Sequence, residues 1–224
     1  MNRRATTFIR LLGQATSATL GYGRLYNWYA VNAANFAPTD WGLPTVAQMN
    51  TLITNAGGTS YAGGTLKSRS LNHWTAPVSY YDPDYGFELY GAGDRNGTSG
   101  LFSSINNMTR IGAYAPYTAW PELYVSSSST LVYNLVVTSG VYKTQGISIR
   151  LIYNGTGTPS STLTDYDGNV YDVVNIGTQY WTKQNWKCTH LNDGTDIPEV
   201  TDNTAWAGLT TGSWCYYNND SGNL

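Results

Sequence analysis

Residues 164–181, TDYDGNVYDVVNIGTQYW, decide the first architectural question. Asp167-Gly168-Asn169 supplies residues that accept positive φ, and it sits between alternating apolar and polar runs. That combination predicts a hairpin turn. Val170, Val173, Val174 and Ile176 make the following strand, and Gly177-Thr178-Gln179 a second turn before Tyr180-Trp181. Upstream, residues 154–162, NGTGTPSST, are too polar and turn-rich to bury anything, so 153–163 reads as a linker. Before it lies the apolar run 146–152, GISIRLI, which reads as a strand. Further back, Val46, Met49, Leu52 and Ile53 fall at helical spacing, with Thr45 as N-cap and Gly57-Gly58 as the stop.

The composition agrees with this strand-and-loop reading. Charged residues are only 12% of the chain while aromatics are 14%, with 19 Tyr, 8 Trp and 24 Gly. A chain poor in Lys and Glu has few good helix formers, whereas Tyr, Trp, Thr and Val favour pleated, half-buried surfaces. The expected fold is α+β, loop-rich, with short antiparallel strands and one or two short helices. Net charge is −2, and no basic stripe offers itself to a nucleic acid. No stretch approaches the ~20 apolar residues of a membrane-spanning helix. Cys188 and Cys215 are too few for a disulfide framework and wrongly spaced for zinc, leaving one disulfide or two free thiols. Residues 1–20 carry Arg3, Arg4 and Arg10 and no acid. Arg10 interrupts their apolar run, so they read as a basic arm that docks onto an assembly, or a simple tail, rather than a secretory signal.

Several strings carry a family resemblance. Residues 165–171 (DYDGNVY), 176–181 (IGTQYW), Asn185-Trp186, residues 192–194 (NDG) and 214–220 (WCYYNND) resemble the opening of the Fibrobacter succinogenes major paralogous domain. Residues 22–31 (YGRLYNWYAV) resemble its middle, and 41–45 (WGLPT), Gly86-Phe87, 93–95 (GDR) and 146–150 (GISIR) its later parts. The resemblance implies a C-type-lectin-like fold, similar to that of formylglycine-generating enzymes, on surface and secreted proteins, with no general catalytic activity. The order differs from the family's, because the opening strings come last here. Residues 21–152 therefore read as the later part of the domain and 164–224 as its opening part. A circular permutation, exchange of segments between neighbouring copies, or excision from a tandem array would each produce this order. The family's Trp-Ser-Ser triplet corresponds to a rebuilt stretch between Trp120 and Ser127.

Catalytic candidates are sparse. His73 and His190 lack a partnered nucleophile motif, although Cys188 and His190 would share one face of a strand. Asp165 and Asp167 alternate as calcium ligands do, but a turn explains them without a metal. Asp82, Asp84 and Glu88 read as a solvated loop. The binding candidates are aromatic: Tyr80, Tyr81 and Tyr85 in one loop, and Tyr114, Tyr117, Trp120 and Tyr124 in another. Tyr among Ser, Gly and Asn is the composition of paratopes, and such rings also stack on sugars. Trp28, Trp41, Trp181 and Trp214 lie in the family strings and are assigned to structure.

The expected function is a non-enzymatic recognition or assembly module without cofactor or metal. Its expected setting is a phage virion, as a fibre, tail or capsid-decoration protein, or else the extracellular face of a cell. Its arm would join other virion or surface proteins, and its loops would meet a glycan or host surface protein, with homo-oligomers as one route to assembly. The rivals are a secreted bacterial adhesin that binds carbohydrate and a cysteine-dependent oxidase of the formylglycine-generating type.

Overall fold

A computed structural model of the 224-residue chain describes residues 21–70, 72–75, 78–114, 120–135 and 143–224. The arm and its Arg3, Arg4 and Arg10 lie outside the described residues. The architecture is α+β, built on two five-stranded sheets and a small ladder. Leu25–Tyr26 (β1) pairs with Trp214–Cys215 (β12), which joins the two ends of the described chain. Of the strands between, Trp41–Gly42 (β2), Ile152–Tyr153 (β8), Gln179–Thr182 (β11), Val170–Ile176 (β10) and Thr162–Thr164 (β9) form one antiparallel sheet in that order. The other sheet orders Phe102–Ile105 (β4), Ala92–Arg95 (β3), Met108–Gly112 (β5), Glu122–Ser126 (β6) and Val132–Leu135 (β7). Within it only β3 and β5 run parallel, at Gly93 opposite Thr109.

The hairpin expected around Asp167-Gly168-Asn169 is present, with Val170 opposite Thr164. A two-residue turn at Gly177-Thr178 follows, placing Ile176 opposite Gln179. Gly177 has φ +62°, a left-handed conformation that glycine adopts without the strain of a side chain. The helix at Thr45 spans Val46–Asn55 (α2). Its Thr45 hydroxyl accepts from the Gln48 amide and the Gln48 side chain returns to the Thr45 amide, a complete capping box. Three one-turn helices join it, more than expected: Trp28–Val31 (α1), Ala62–Thr65 (α3) and Asn203–Ala207 (α4). Segments of four or five residues are too short to print a periodicity.

The strand expected over 146–152 is extended, but only Ile152 and Tyr153 join a sheet. Its other residues bond singly to different neighbours. Gly146 pairs with Arg95, Ile147 with Tyr26, the Ser148 carbonyl accepts from Gly112, and that of Ile149 from Trp186. The run is thus a buried spine threaded between elements, with Ile147, Ile149 and Leu151 alternating with Ser148 and Arg150, all of them buried. Its Ile147, Ile149 and Leu151 pack with Tyr26, Phe36, Trp120, Tyr171, Trp186 and Trp214. A second cluster joins Met49, Leu52 and Ile53 of α2 to Ile111, Leu123 and Val125 and to Ile176 and Trp181. A third joins Leu25 to Trp206, Cys215 and Tyr217. Every cluster therefore mixes residues from before and after the expected 153–163 linker, whose bounds need correcting. Tyr153 belongs to β8 and Thr162 and Leu163 to β9, Leu163 is buried with Tyr171 and Trp186, and only 154–161 is an open, mostly exposed connection.

Three fully buried cations hold irregular main chain in place. The Lys67 ammonium donates to the carbonyls of Ser79, Ser127 and Ser129 at 2.6–2.9 Å, and burial draws its pKa down to about 8. Arg95 donates to the carbonyls of Gly100, Val200 and Thr201, and its plane lies 4.4 Å over Trp206. Arg150 reaches the carbonyls of Phe87, Glu88, Thr182 and Lys183 and the side chain of Asn185, and burial lowers its pKa to about 10. Loops cannot satisfy their own carbonyls as a ladder does, and a buried unpaired carbonyl is costly. Each cation here replaces a stretch of missing ladder.

Candidate functional site

The sequence-expected aromatic residues divide by environment. Tyr80 and Tyr81 fold around Arg69, which donates to the Tyr81 carbonyl at 2.8 Å and pairs with Asp82 and Asp84. The Arg69 guanidinium lies 4.7 Å from the Tyr80 ring, Tyr81 stacks on Tyr61 at 4.2 Å, and Tyr85 leans against the core. The acidic loop expected as merely solvated is therefore half organised by one arginine. Tyr124 is half-buried on β6 beside the Arg110 guanidinium. Trp120 is a correction: it is fully buried, and its indole N–H donates to the Ala113 carbonyl at 3.0 Å. No ring face is left for a ligand. Tyr117 lies outside the described residues.

Tyr114 occupies the most shaped setting. It is 49% exposed and lines a groove of about 400 Å3 with Val31, Asn32, Phe36, Trp41 and Leu43. Ala33, Ala34, Ala37 and Gly42 complete the lining. Local sequence fixes each wall. Asn27 caps α1 by accepting from the Ala30 amide and ties it to the Thr211 carbonyl and the Ser213 amide. The chain then turns through Asn35, whose carbonyl accepts from Asn192 and whose side chain donates to Asp193. Phe36 is buried edge-on against Tyr26, forming the floor. Trp41, on β2, is braced by Tyr153 directly across the pair at 5.5 Å between ring centres. The Tyr114 amide donates to the Pro44 carbonyl at 2.7 Å, beside the cap of α2.

Trp41, Phe36 and Asn32 were not legible as site residues. Trp41 sits inside a family string and reads as structural, and the groove assembles only when β2, the 31–37 turn and Tyr114 meet. The one local signal is the run of small residues around Phe36, which leaves main chain uncovered. A second cavity of about 390 Å3, sharing Ala33, is lined by Tyr29, Leu191, Ile197, Pro198, Thr211 and Asp196.

The catalytic and metal candidates Cys188, His190, Asp165 and Asp167 are tied into the fold. The Cys188 thiol is buried and pushed up to about 11, and that of Cys215 to about 12, in both cases chiefly by burial. Both are free. His190 has Nδ1 against Asp167 and Nε2 2.7 Å from Asp196, so neither ring nitrogen is turned to Cys188. The hydrogen bond that its ring donates to the Asp167 carboxylate chiefly raises its pKa. Asp165 accepts from the Asn169 amide, the Asn169 side chain and the Tyr171 hydroxyl, so its oxygens are occupied by the turn itself. Among the described residues no group of three or more His, Cys, Asp or Glu is placed to hold a metal. No helix among them is long and apolar enough to cross a membrane.

A loop-rich α+β domain with an aromatic groove and inward-committed cations is the class these observations define. The model of the Fibrobacter succinogenes major domain matches residues 6–152, well over half of the chain, and the protein belongs to that family. Neither the curated proteins nor the solved structures contain a match.

Proposed function

We propose that this protein is a non-enzymatic recognition module of C-type-lectin-like character, held on a phage particle or cell surface through its basic arm. The observation that carries the reading is the groove lined by Trp41, Tyr114 and Phe36, whose described lining residues include no Asp, Glu, Lys, Arg or His. Two further facts support it. Lys67, Arg95 and Arg150 are spent on main-chain carbonyls, and both thiols are held in the protonated form near neutral pH. A cysteine-dependent oxidase needs an accessible thiolate, which this setting disfavours. The Tyr-rich, Ser-, Gly- and Asn-rich surface suits rigid anchors with adaptable polar neighbours.

The test pairs two changes. Replacing Cys188 and Cys215 by Ser should leave binding to target cells or particles unchanged, and loss of a measurable turnover would overturn the non-enzymatic reading. Deleting residues 2–20 should leave a folded, soluble protein that still binds its target but no longer joins its assembly. Normal incorporation of the truncated chain would remove the arm from the proposal. A phage protein and a bacterial adhesin share this recognition face and differ in what the arm meets.

A further inference from the structure

We infer that the Trp41–Tyr114 groove binds an uncharged saccharide, with a pyranose ring seated between the two aromatic walls over Phe36. The inference rests on the recognition reading and narrows it to a ligand class.

Charge comes first. None of the ten described residues lining the groove is Asp, Glu, Lys, Arg or His. A phosphate, sulfate or carboxylate ligand would find no cation there, and an amine no carboxylate. The neighbouring cavity differs on this point, since Asp196 stands on its wall.

Size comes second. About 400 Å3 lies in the range of small-molecule sites, roughly 300–1,000 Å3. A stable protein partner needs a far larger face, about 800 Å2 on each side.

The chemistry of the lining is the third point. A pyranose presents apolar C–H faces and a polar equatorial rim. Aromatic faces carry the negative lobe of a quadrupole, which suits the weakly positive C–H groups of a sugar face. Trp41 and Tyr114 supply rings, Phe36 and Val31 an apolar floor, and Asn32 an amide at the exposed rim. The four Ala and Gly residues leave room for a ring, and because the amides of Asn32, Ala33, Phe36, Trp41 and Tyr114 are already donated to main-chain carbonyls, the Asn32 side chain is the polar contact offered to a sugar hydroxyl. A purely apolar ligand would have no use for that rim, and a flat aromatic ligand no use for its polar edge.

Rigidity is the fourth. Tyr153 braces Trp41, Pro44 fixes Tyr114, and Asn27 with Asn35 pins the turn between them. A site formed before its ligand arrives loses less entropy on binding.

The experiment uses the full chain against a panel of neutral glucose-, galactose-, mannose- and N-acetylglucosamine-based oligosaccharides, with sialylated and sulfated counterparts. Binding is read by calorimetry and by tryptophan fluorescence. At least one neutral series should bind. Trp41→Ala and Tyr114→Ala should each weaken it about tenfold or more, while Asp196→Asn, on the neighbouring cavity, stays near wild type. Tyr114→Ala should keep the wild-type melting temperature, which separates lost binding from lost folding. Absence of neutral-sugar binding, binding of charged glycans alone, or full binding by both groove variants would overturn the assignment. The wider recognition reading is measured separately, on intact target cells. If those are bound while every neutral saccharide fails, the ligand class is wrong and the recognition role stands.

Discussion

Glu122 lies on β6 with no exposed surface, paired to Arg110, which also pairs with Asp94 at 2.9 Å. One of its oxygens, Oε2, has no hydrogen-bond partner among the described residues. Burial pushes the carboxyl up to about 7, against the pull of Arg110. An acid whose pKa is higher folded than unfolded holds its proton more tightly in the folded state. Its stabilising contribution is therefore complete below the unfolded value of 4.5 and lost as pH rises through about 7. Glutamine imitates the protonated acid. Glu122→Gln should match wild type near pH 4 and become more stable than it by on the order of 2 kcal/mol at pH 8. Denaturant melts across that range check this. A difference that does not change with pH would mean that Glu122 does not titrate there.

At the scale of elements, the loop from β9 to β10 shows what one buried carboxylate can hold together. Asp165 fastens Asn169 and the Tyr171 hydroxyl, which in turn accepts from the Lys187 amide at 3.0 Å. Tyr171 stacks on Trp186 at 4.6 Å, so the turn is tied to the core through a single ring. Asp165→Ala should cost about 2–3 kcal/mol, since it leaves charge-assisted hydrogen bonds unmade. A chelator should leave the wild-type melting temperature unmoved, and a fall restored by calcium would make the loop a metal site after all. This hairpin was legible because Asp, Gly and Asn state their backbone preference locally, as Thr45 and the stripe of Val46, Met49, Leu52 and Ile53 did for α2. The sheet of β3 to β7 was not, because its strands carry Gly93, Gly112, Ser103 and Ser104 where β-formers are expected. Its order depends on a parallel pairing between β3 and β5, with β4 set aside at the edge. The groove was illegible for a similar reason: Trp41 owes its site position to Phe36 and Tyr114, and no local pattern announces that meeting. Trp120 misled because an aromatic in a Tyr-rich loop looks alike whether it faces out or in.

At the scale of the whole molecule, the order of the family strings meets the geometry of the chain. By the resemblance, the strings at 214–220 and 22–31 would be consecutive in the family, whose model matches residues 6–152 here, and they lie at opposite ends of this chain. Their strands, β12 and β1, pair directly, and the Gly21 amide donates to the Leu224 carbonyl at 3.2 Å within one chain. A circularly permuted order accounts for this contact without a second copy. The break then falls at 154–161, which crosses mostly exposed between β8 and β9 of one sheet. Permutation is tolerated where the joined ends are close and the new ends are exposed. A chain with Leu224 joined to Gly21 through two glycines, residues 1–20 removed, and new ends between Thr156 and Gly157 should therefore fold. Because the three core clusters each span both segments, it should melt in one cooperative step, within about 4 °C of the parent for each kcal/mol of difference. Light scattering should return the mass of one chain. New ends placed between Val173 and Val174, inside the β10–β11 ladder, should abolish folding and serve as the control. Two separate transitions, or an unfolded product from the 156–157 opening, would refute the permuted reading. A folded product found only as an interlocked dimer would instead favour exchange of segments between neighbours.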